Sequence, residues 1–250
     1  MTGPEPRNHP GADALRAELA RGLTLPATRI LLLVVVLLAV VPAVLADMTV
    51  TMSASGAESA GRLADTFGLS LSITVFSALA AVWAGCDVRS GELGVALRAV
   101  PSRGRLAGAR AGALGIVVAA SAAAVFGVDR VIRSWTDPGA GATAPGTWRV
   151  GLGFALASVT VALLGAALAT LLRSAMLSIA VLLLTPVLVV PLLERVAPAV
   201  AGALPFNAGG VVVTGSGGVP MGWAAGAAVL VAWAAAAAGA SCFLLHRRDL

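Results

Sequence analysis

Six long runs without any aspartate, glutamate, lysine or arginine constrain this chain more than any other feature. They occupy residues 30–46, 68–86, 112–128, 150–172, 175–193 and 222–245. An α-helix needs about 20 apolar residues to cross about 30 Å of hydrocarbon. Transmembrane strands would need alternating polarity, whereas these runs are apolar on every side. The sequence therefore predicts an all-α, polytopic integral membrane protein with about six transmembrane helices.

The composition leaves little material for a separate water-soluble domain. The chain of 250 residues is 58% hydrophobic and 12% charged, with a mean hydropathy of +0.94. A soluble domain usually has about 25% charged residues, so half of the expected polar surface is missing. We expect a cytoplasmic tail and amphipathic helix over residues 1–29, a transmembrane domain over 30–245 with a cytoplasmic segment at 87–111, and a cytoplasmic tail over 246–250.

The absence of lysine excludes the lysine-containing phosphate-binding loop that is common in ATPases. All 17 basic side chains are arginine, and the phosphate-binding loop GxxxxGK[ST] needs a lysine to reach the outer phosphates. The two histidines, His9 and His246, lie at the chain ends and cannot assemble a metal cluster or a Ser/His pair within the membrane. We expect no catalytic, cofactor-binding or metal-ligating residue, and any ATP hydrolysis must come from a partner.

The distribution of arginine predicts the topology. Twelve arginines fall on one side of the six runs and five on the other, which by the positive-inside rule puts both termini in the cytoplasm. The excess of arginine, alanine, glycine and valine suggests a GC-rich bacterial genome, and hence a multi-pass protein of the cytoplasmic (inner) membrane. The net charge of +5 fits anionic lipid headgroups better than nucleic acid, because membrane spans separate the arginines.

Cys86 and Cys242 fall near cytoplasmic helix ends, which favours free thiols. A cleaved signal peptide is disfavoured, because the leading segment is long and contains acidic residues.

Two segments outside the runs have their own patterns. From Asp13, the spacing of Leu15, Leu19, Gly22 and Leu23 predicts a short helix on the inner membrane surface, with Arg16 and Glu18 at its flanks, until Pro26 interrupts it. Such a helix is either a juxtamembrane anchor or an elbow that docks a partner. The stretch 195–221 mixes proline and glycine with apolar residues, so it is expected to re-enter the membrane partly where other helices cover its backbone.

The segment between the second and third runs is the most informative. Leu93, Leu97 and Val100 fall on one helical face, while Glu92 and Arg98 project elsewhere. This pattern predicts a short amphipathic helix that lies parallel to the membrane and ends at Pro101. Two interpretations of the segment stay open: a plain cytoplasmic loop, or a helix that inserts into a groove on a soluble partner.

At this segment the chain resembles the permease subunits of bacterial ABC-2 type exporters. Those proteins have a cytoplasmic stretch that reads acidic, aromatic, Arg, any residue, Gly, followed by Pro, any residue, Arg and a further basic residue. The matching positions are Asp87, Arg89, Gly91, Pro101, Arg103 and Arg110. The departures are Asp87 for glutamate, Val88 for the aromatic residue, Glu92 for a small hydroxyl residue and Arg110 for lysine. The resemblance continues in Leu204-Pro205-Phe206-Asn207-Ala208, Trp223, Trp233 and Arg247-Arg248-Asp249.

The resemblance implies a mechanism that uses two six-helix subunits, either a homodimer of this chain or this chain with a sister permease. Two separate ATPase subunits, which bind ATP and Mg, would attach to the cytoplasmic faces, and the short helix at 91–100 would transmit their movement. The residues expected to contact the ATPase are Asp87, Arg89, Gly91, Glu92, Leu93, Leu97, Pro101, Arg103, Arg105 and Arg110.

Two other classes of function stay open. A non-transporting membrane scaffold or assembly factor would share the hydropathy and need no ATPase. A secondary carrier is less favoured, because the middle of every expected span lacks an ionisable residue. The hydroxyl residues in the runs are expected to bond to their own or neighbouring helices rather than to a substrate; they are Ser72, Thr74, Ser77, Ser158, Thr160 and Thr185.

Overall fold

The computed structural model of the chain describes residues 10–24, 26, 28–30, 33–35, 37, 72–85, 103–136, 146–215 and 221–247. These residues are almost entirely helical, and no β-strand occurs among them. The helices are α1 (Pro10–Thr24), α2 (Ser72–Gly85), α3 (Arg103–Thr136), α4 (Thr147–Leu172), α5 (Ala175–Leu184), α6 (Val190–Val196), α7 (Pro198–Gly202), α8 (Pro205–Thr214) and α9 (Trp223–Arg247). The expected all-α fold class is thus confirmed for the described part of the chain.

Four helical stretches of the described chain are long and apolar enough to cross a membrane. They are Gly104–Ile132, Thr147–Leu172, Ala175–Val196 and Trp223–Leu244. Each coincides with one of the charge-free runs, and the shorter apolar helix α2 lies in the run 68–86. Of the first run, residues 30, 33–35 and 37 are described, and they are helical. Six complete crossings stay a prediction.

Helix α3 is longer than the third apolar run alone predicts. It has 34 residues and begins nine positions before the run, at Arg103. The sequence contains no proline between Pro101 and Pro138, and alanine, leucine and arginine are good helix formers. The basic residues expected in a cytoplasmic segment therefore continue the membrane-spanning helix without a break.

The core is built around α4. This helix packs against α3, α8 and α9, and its Phe154 is fully buried. Phe76 of α2, Val118 of α3, Val212 of α8 and Leu230 of α9 belong to the same buried cluster. Five helices from distant parts of the sequence thus share one core.

The stretch that was expected to re-enter the membrane forms two short helices. Helix α8 packs between α4 and α9 and buries Ala208, Val211 and Val212. A Cβ on Gly153 of α4 would lie 2.6 Å from the backbone oxygen of Val212, so α4 and α8 approach as closely as a glycine allows. The covered backbone that re-entry requires is therefore present.

Helices α5 and α6 form one continuous helical stretch, Ala175–Val196, which we call the arm. Five residues in it, Thr185–Val189, are π-helical. Pro186 lies in this segment and has no N–H to donate, which breaks the regular ladder of the α-helix. The Thr185 hydroxyl donates to the Val181 carbonyl at 2.6 Å. The change of helical type thus coincides with Pro186.

Most hydroxyl groups singled out in the runs bond to backbone carbonyls. Ser77 donates to the Thr74 carbonyl at 2.6 Å and Ser158 to the Phe154 carbonyl at 2.7 Å. Thr160 donates to Leu156 within α4 and reaches the Leu230 carbonyl of α9 at 3.2 Å. These bonds agree with the structural role that was expected of these side chains.

Candidate functional site

The N-terminal helix α1 docks on the first turns of α3. The residues that it buries are Ala14, Glu18 and Gly22, which lie four apart and therefore on one face. Leu19 packs against the hydrophobic core, whereas Leu23 is 50% exposed. The helix is present as predicted, but the expected stripe is corrected: its buried face is turned so that Glu18 lies at the centre and Leu23 outside.

An ion pair joins α1 to α3 across 92 positions of the sequence. The Nε atom of Arg110 donates to Oε1 of Glu18 at 3.1 Å. The side chain of Glu18 is 8% exposed and that of Arg110 is 17% exposed. Arg21, on the same helix as Glu18, places Nη1 3.7 Å from its other oxygen. A carboxylate with so little contact with water requires such partners, because an unpaired buried charge is strongly destabilising.

Helix α1 also lies close to the end of α2. A Cβ at Gly22 would overlap the indole ring of Trp83, a side chain that is 7% exposed. Only glycine permits this separation, because any other residue would displace the indole or the helix. Glu18 and Gly22 together fix α1 against two helices.

The structure describes three of the ten residues expected to contact an ATPase. Arg103 is the first residue of α3, Arg105 is exposed, and Arg110 is bonded to Glu18. Arg105 is therefore available to a partner, whereas Arg110 holds α1 in place within the chain. The others lie outside the described residues: Asp87, Arg89, Gly91, Glu92, Leu93, Leu97 and Pro101.

Sequence reasoning missed the docking role of Glu18, which it had placed at the flank of the helix. The available signal was the pair of small residues Ala14 and Gly22, four positions before and after it. A charged residue between two small residues on one face permits close packing with a single central ion pair. Its partner Arg110 could not be deduced, because no local pattern relates residues 92 positions apart.

Asn207 and Trp233, two of the residues that carried the resemblance, both donate hydrogen bonds to backbone carbonyls around α7. The Trp233 indole donates to the Ala203 carbonyl at 2.7 Å. The Asn207 amide donates to Oε1 of Glu194 at 3.0 Å and to the Ala201 carbonyl at 3.1 Å. These bonds tie the end of α6, α7 and the start of α8 to the final helix.

Trp223 lies at the other end of the bundle from α1. Its ring packs edge to face on that of Trp148, with 6.4 Å between the ring centroids. Cys242 is half-buried, and Cys86, Arg248 and Asp249 lie outside the described residues.

Comparison with known proteins adds no relative. No model of a protein family matches the chain, and no curated protein matches it significantly. The resemblance to exporter permeases rests on the sequence positions given above.

Proposed function

We propose that this chain is the membrane-spanning permease subunit of an ABC-2 type exporter of the bacterial cytoplasmic membrane. It moves an unidentified substrate with energy from separate ATPase subunits, which bind ATP and Mg. The observation that carries the proposal is the buried Glu18–Arg110 pair, which joins an amphipathic helix to α3 at the end of the segment that resembles the coupling region of these exporters.

The pair supports coupling because it makes one rigid unit of α1 and α3. A partner that pushes on residues 87–102 acts at the beginning of a continuous helix of 34 residues. Because the pair and the Gly22–Trp83 contact hold α1 to α2 and α3, such a push moves three elements together. Transmission from a soluble ATPase to membrane helices needs this stiffness.

The relative positions of the helix ends support the expected topology. Helix α1 and the beginning of α3 lie at one end of the bundle, which fits a pair of spans made by the first two apolar runs. Trp223, at the beginning of α9, lies beside Gly146 and Arg130 at the other end, so α9 runs back toward the end that holds α1. With α1 and the end of α9 at the same end of the bundle, an even number of crossings with cytoplasmic ends is supported.

The outward faces of the arm and of α9 suit lipid and a second permease subunit. In the most apolar stretch of 18 residues of each helix, only 17% of the residues of Ala175–Val196 and 11% of those of Trp223–Leu244 are buried inside the chain. A homodimer or a pair with a sister permease would enclose a path for the substrate, and lipid would cover the remaining surface.

The proposal is tested by co-expressing the chain with a cognate ABC ATPase and measuring ATP hydrolysis in lipid nanodiscs. We expect the ATPase to co-purify with this chain. Disruption of residues 91–98 and the charge reversal Arg105→Glu should each lower the activity and the co-purification. Arg195→Glu, the same charge reversal at an exposed arginine at the end of α6, is the matched control and should change neither.

The outcomes separate the proposed function from its alternative. Loss of activity in the 91–98 and Arg105 variants, with the chain still folded and inserted, supports a coupled permease. An ATPase that neither binds the chain nor responds to these changes would favour a non-transporting scaffold.

A further inference from the structure

A cavity of about 580 Å³ lies at the end of the bundle opposite α1. Helix ends surround it: the end of α3, the beginnings of α4 and α9, and the end of α8. Arg110 and Arg130 are 20 residues apart on α3, which is about 30 Å along a helix axis and equals the thickness of the hydrocarbon layer. A crossing of α3 that puts Arg110 at one headgroup layer therefore puts Arg130 and the cavity at the other.

The charged side chains in the wall of the cavity are both cationic. Arg130 and Arg149 line it, and no aspartate or glutamate is found among the described residues of its wall. The nearest acidic residue in the sequence, Asp129, is 8% exposed and does not line the cavity. Two arginines in the wall of one cavity favour an anion that accepts several hydrogen bonds, such as a phosphate.

The beginning of α4 adds to the positive potential. Gly146 at its N-cap has a left-handed conformation with φ of 91° and provides no side-chain cap. The positive end of a helix of 26 residues therefore points to the cavity wall. The positive end of α4 thus adds to the positive charge of the two arginines and is not a binding site without them.

The apolar part of the wall is formed by Val150, Val211, Val212, Val213 and Met221, and Thr147 and Thr214 also line the cavity. Trp148 is 63% exposed beside the cavity, and Cζ of Arg149 lies 5.4 Å from the centroid of its ring. Exposed tryptophans are typical of the membrane interface, where one side of the ring meets lipid and the other meets water. A cavity with a cationic part and an apolar part suits an amphiphile.

We infer that this cavity binds the phosphate group of an anionic ligand, with Arg130 and Arg149 as its ligating residues. The phosphate comes from a phospholipid headgroup at this membrane face or from a soluble phosphate compound. The site does not depend on the proposed coupling to an ATPase, since none of its residues belongs to the α1–α3 contact.

The test is native mass spectrometry of the full chain in detergent, with phosphatidylglycerol as the probe and phosphatidylcholine as the reference lipid. We expect Arg149→Gln and the double variant Arg130→Gln/Arg149→Gln to weaken the binding of phosphatidylglycerol, the double variant by about tenfold or more. Arg149→Lys should retain part of the affinity, because the charge remains. Arg173→Gln is the matched control: it removes one exposed arginine at the other end of α4 and should leave the affinity within about twofold.

Competition identifies the source of the phosphate. Wild-type binding that inorganic phosphate and glycerol phosphate fail to displace assigns the site to a lipid headgroup. Displacement by either compound assigns it to a soluble phosphate. The inference is overturned if Arg149→Gln, which changes an exposed side chain and should fold normally, binds phosphatidylglycerol as well as Arg173→Gln does.

Discussion

Helix α4 and the arm made by α5 and α6 are consecutive in the sequence, yet α4 is much more buried in the bundle than the arm is. The span Thr147–Leu172 has a mean hydropathy of 2.2, with 39% of its most apolar window buried, whereas Ala175–Val196 has a hydropathy of 2.6 with 17% buried. In water the hydrophobic effect would bury the more apolar helix more deeply. A lipid environment favours the observed order, because hydrocarbon solvates exposed leucine and valine without penalty.

The comparison shows which residues hold the bundle together. Helix α4 buries small residues, including Gly153, Ala157 and Gly165, whereas the arm exposes Val187 and Leu192 at 67% and 63%. Between helices in lipid, close contact stabilises where hydrophobicity cannot. Substitutions in the packed part should therefore cost much more stability than substitutions in the arm.

The largest effect is expected from Arg110→Ala at the packed base of α3. The variant leaves Glu18 buried without its nearest cation and should lower the free energy of unfolding by about 3–5 kcal/mol. Reversible unfolding in mixed micelles measures this change. The exposed Arg105 provides the control, since Arg105→Ala should stay within about 0.5 kcal/mol of the wild type. Equal effects of the two variants would mean that the ion pair does not hold α1.

Leucine truncation tests the comparison directly. Leu230 of α9 is fully buried in the shared core, so Leu230→Ala should cost about 2–5 kcal/mol. Leu192 of α6 is 63% exposed, and Leu192→Ala in lipid should stay within about 0.5 kcal/mol. The same micelle titration applies to both variants. A cost at Leu192 as large as that at Leu230 would show that a second subunit covers the arm.

Addition of one methyl group should act with opposite signs at two glycines. Gly153→Ala places a Cβ against the backbone of Val212 and should cost about 1–3 kcal/mol. At Gly239 of α9 the added Cβ meets nothing within 4 Å, so Gly239→Ala should stabilise by about 0.5–1 kcal/mol through helix propensity. Thermal unfolding in detergent, followed by circular dichroism, measures both. A stabilising Gly153→Ala would contradict the close contact of α4 with α8.

The smallest effect is expected where α4 meets the arm. Arg173 ends α4 with φ of 52°, a left-handed conformation that glycine adopts without strain. Arg173→Gly should therefore stabilise by about 0.5–1 kcal/mol, seen as a higher midpoint of thermal unfolding. Arg173→Ala retains the strain and should give no gain, so an equal gain in both variants would point to the lost charge instead.

The parts of the fold that the sequence predicted are those that depend on local patterns. The charge-free runs identified four long apolar helices, and the spacing from Asp13 identified α1. The beginning of α3 at Arg103 was predictable only in part, because helix propensity continues smoothly past the apolar run. For the candidate site, the sequence pointed to Arg110 and to the N-terminal helix separately, without the contact between them.

By itself, the sequence determined that the described chain is helical and that its long helices are apolar enough for a bilayer, since run length and the absence of charge are local properties. The tertiary structure alone decided that Glu18 meets Arg110, that α8 lies between α4 and α9, and which helices face outward. The physical reason is that a helix apolar on every side carries no periodic signal for its buried face. Which face is buried depends on where glycine and alanine allow two helices to approach closely. These contacts exist only once the helices have packed together.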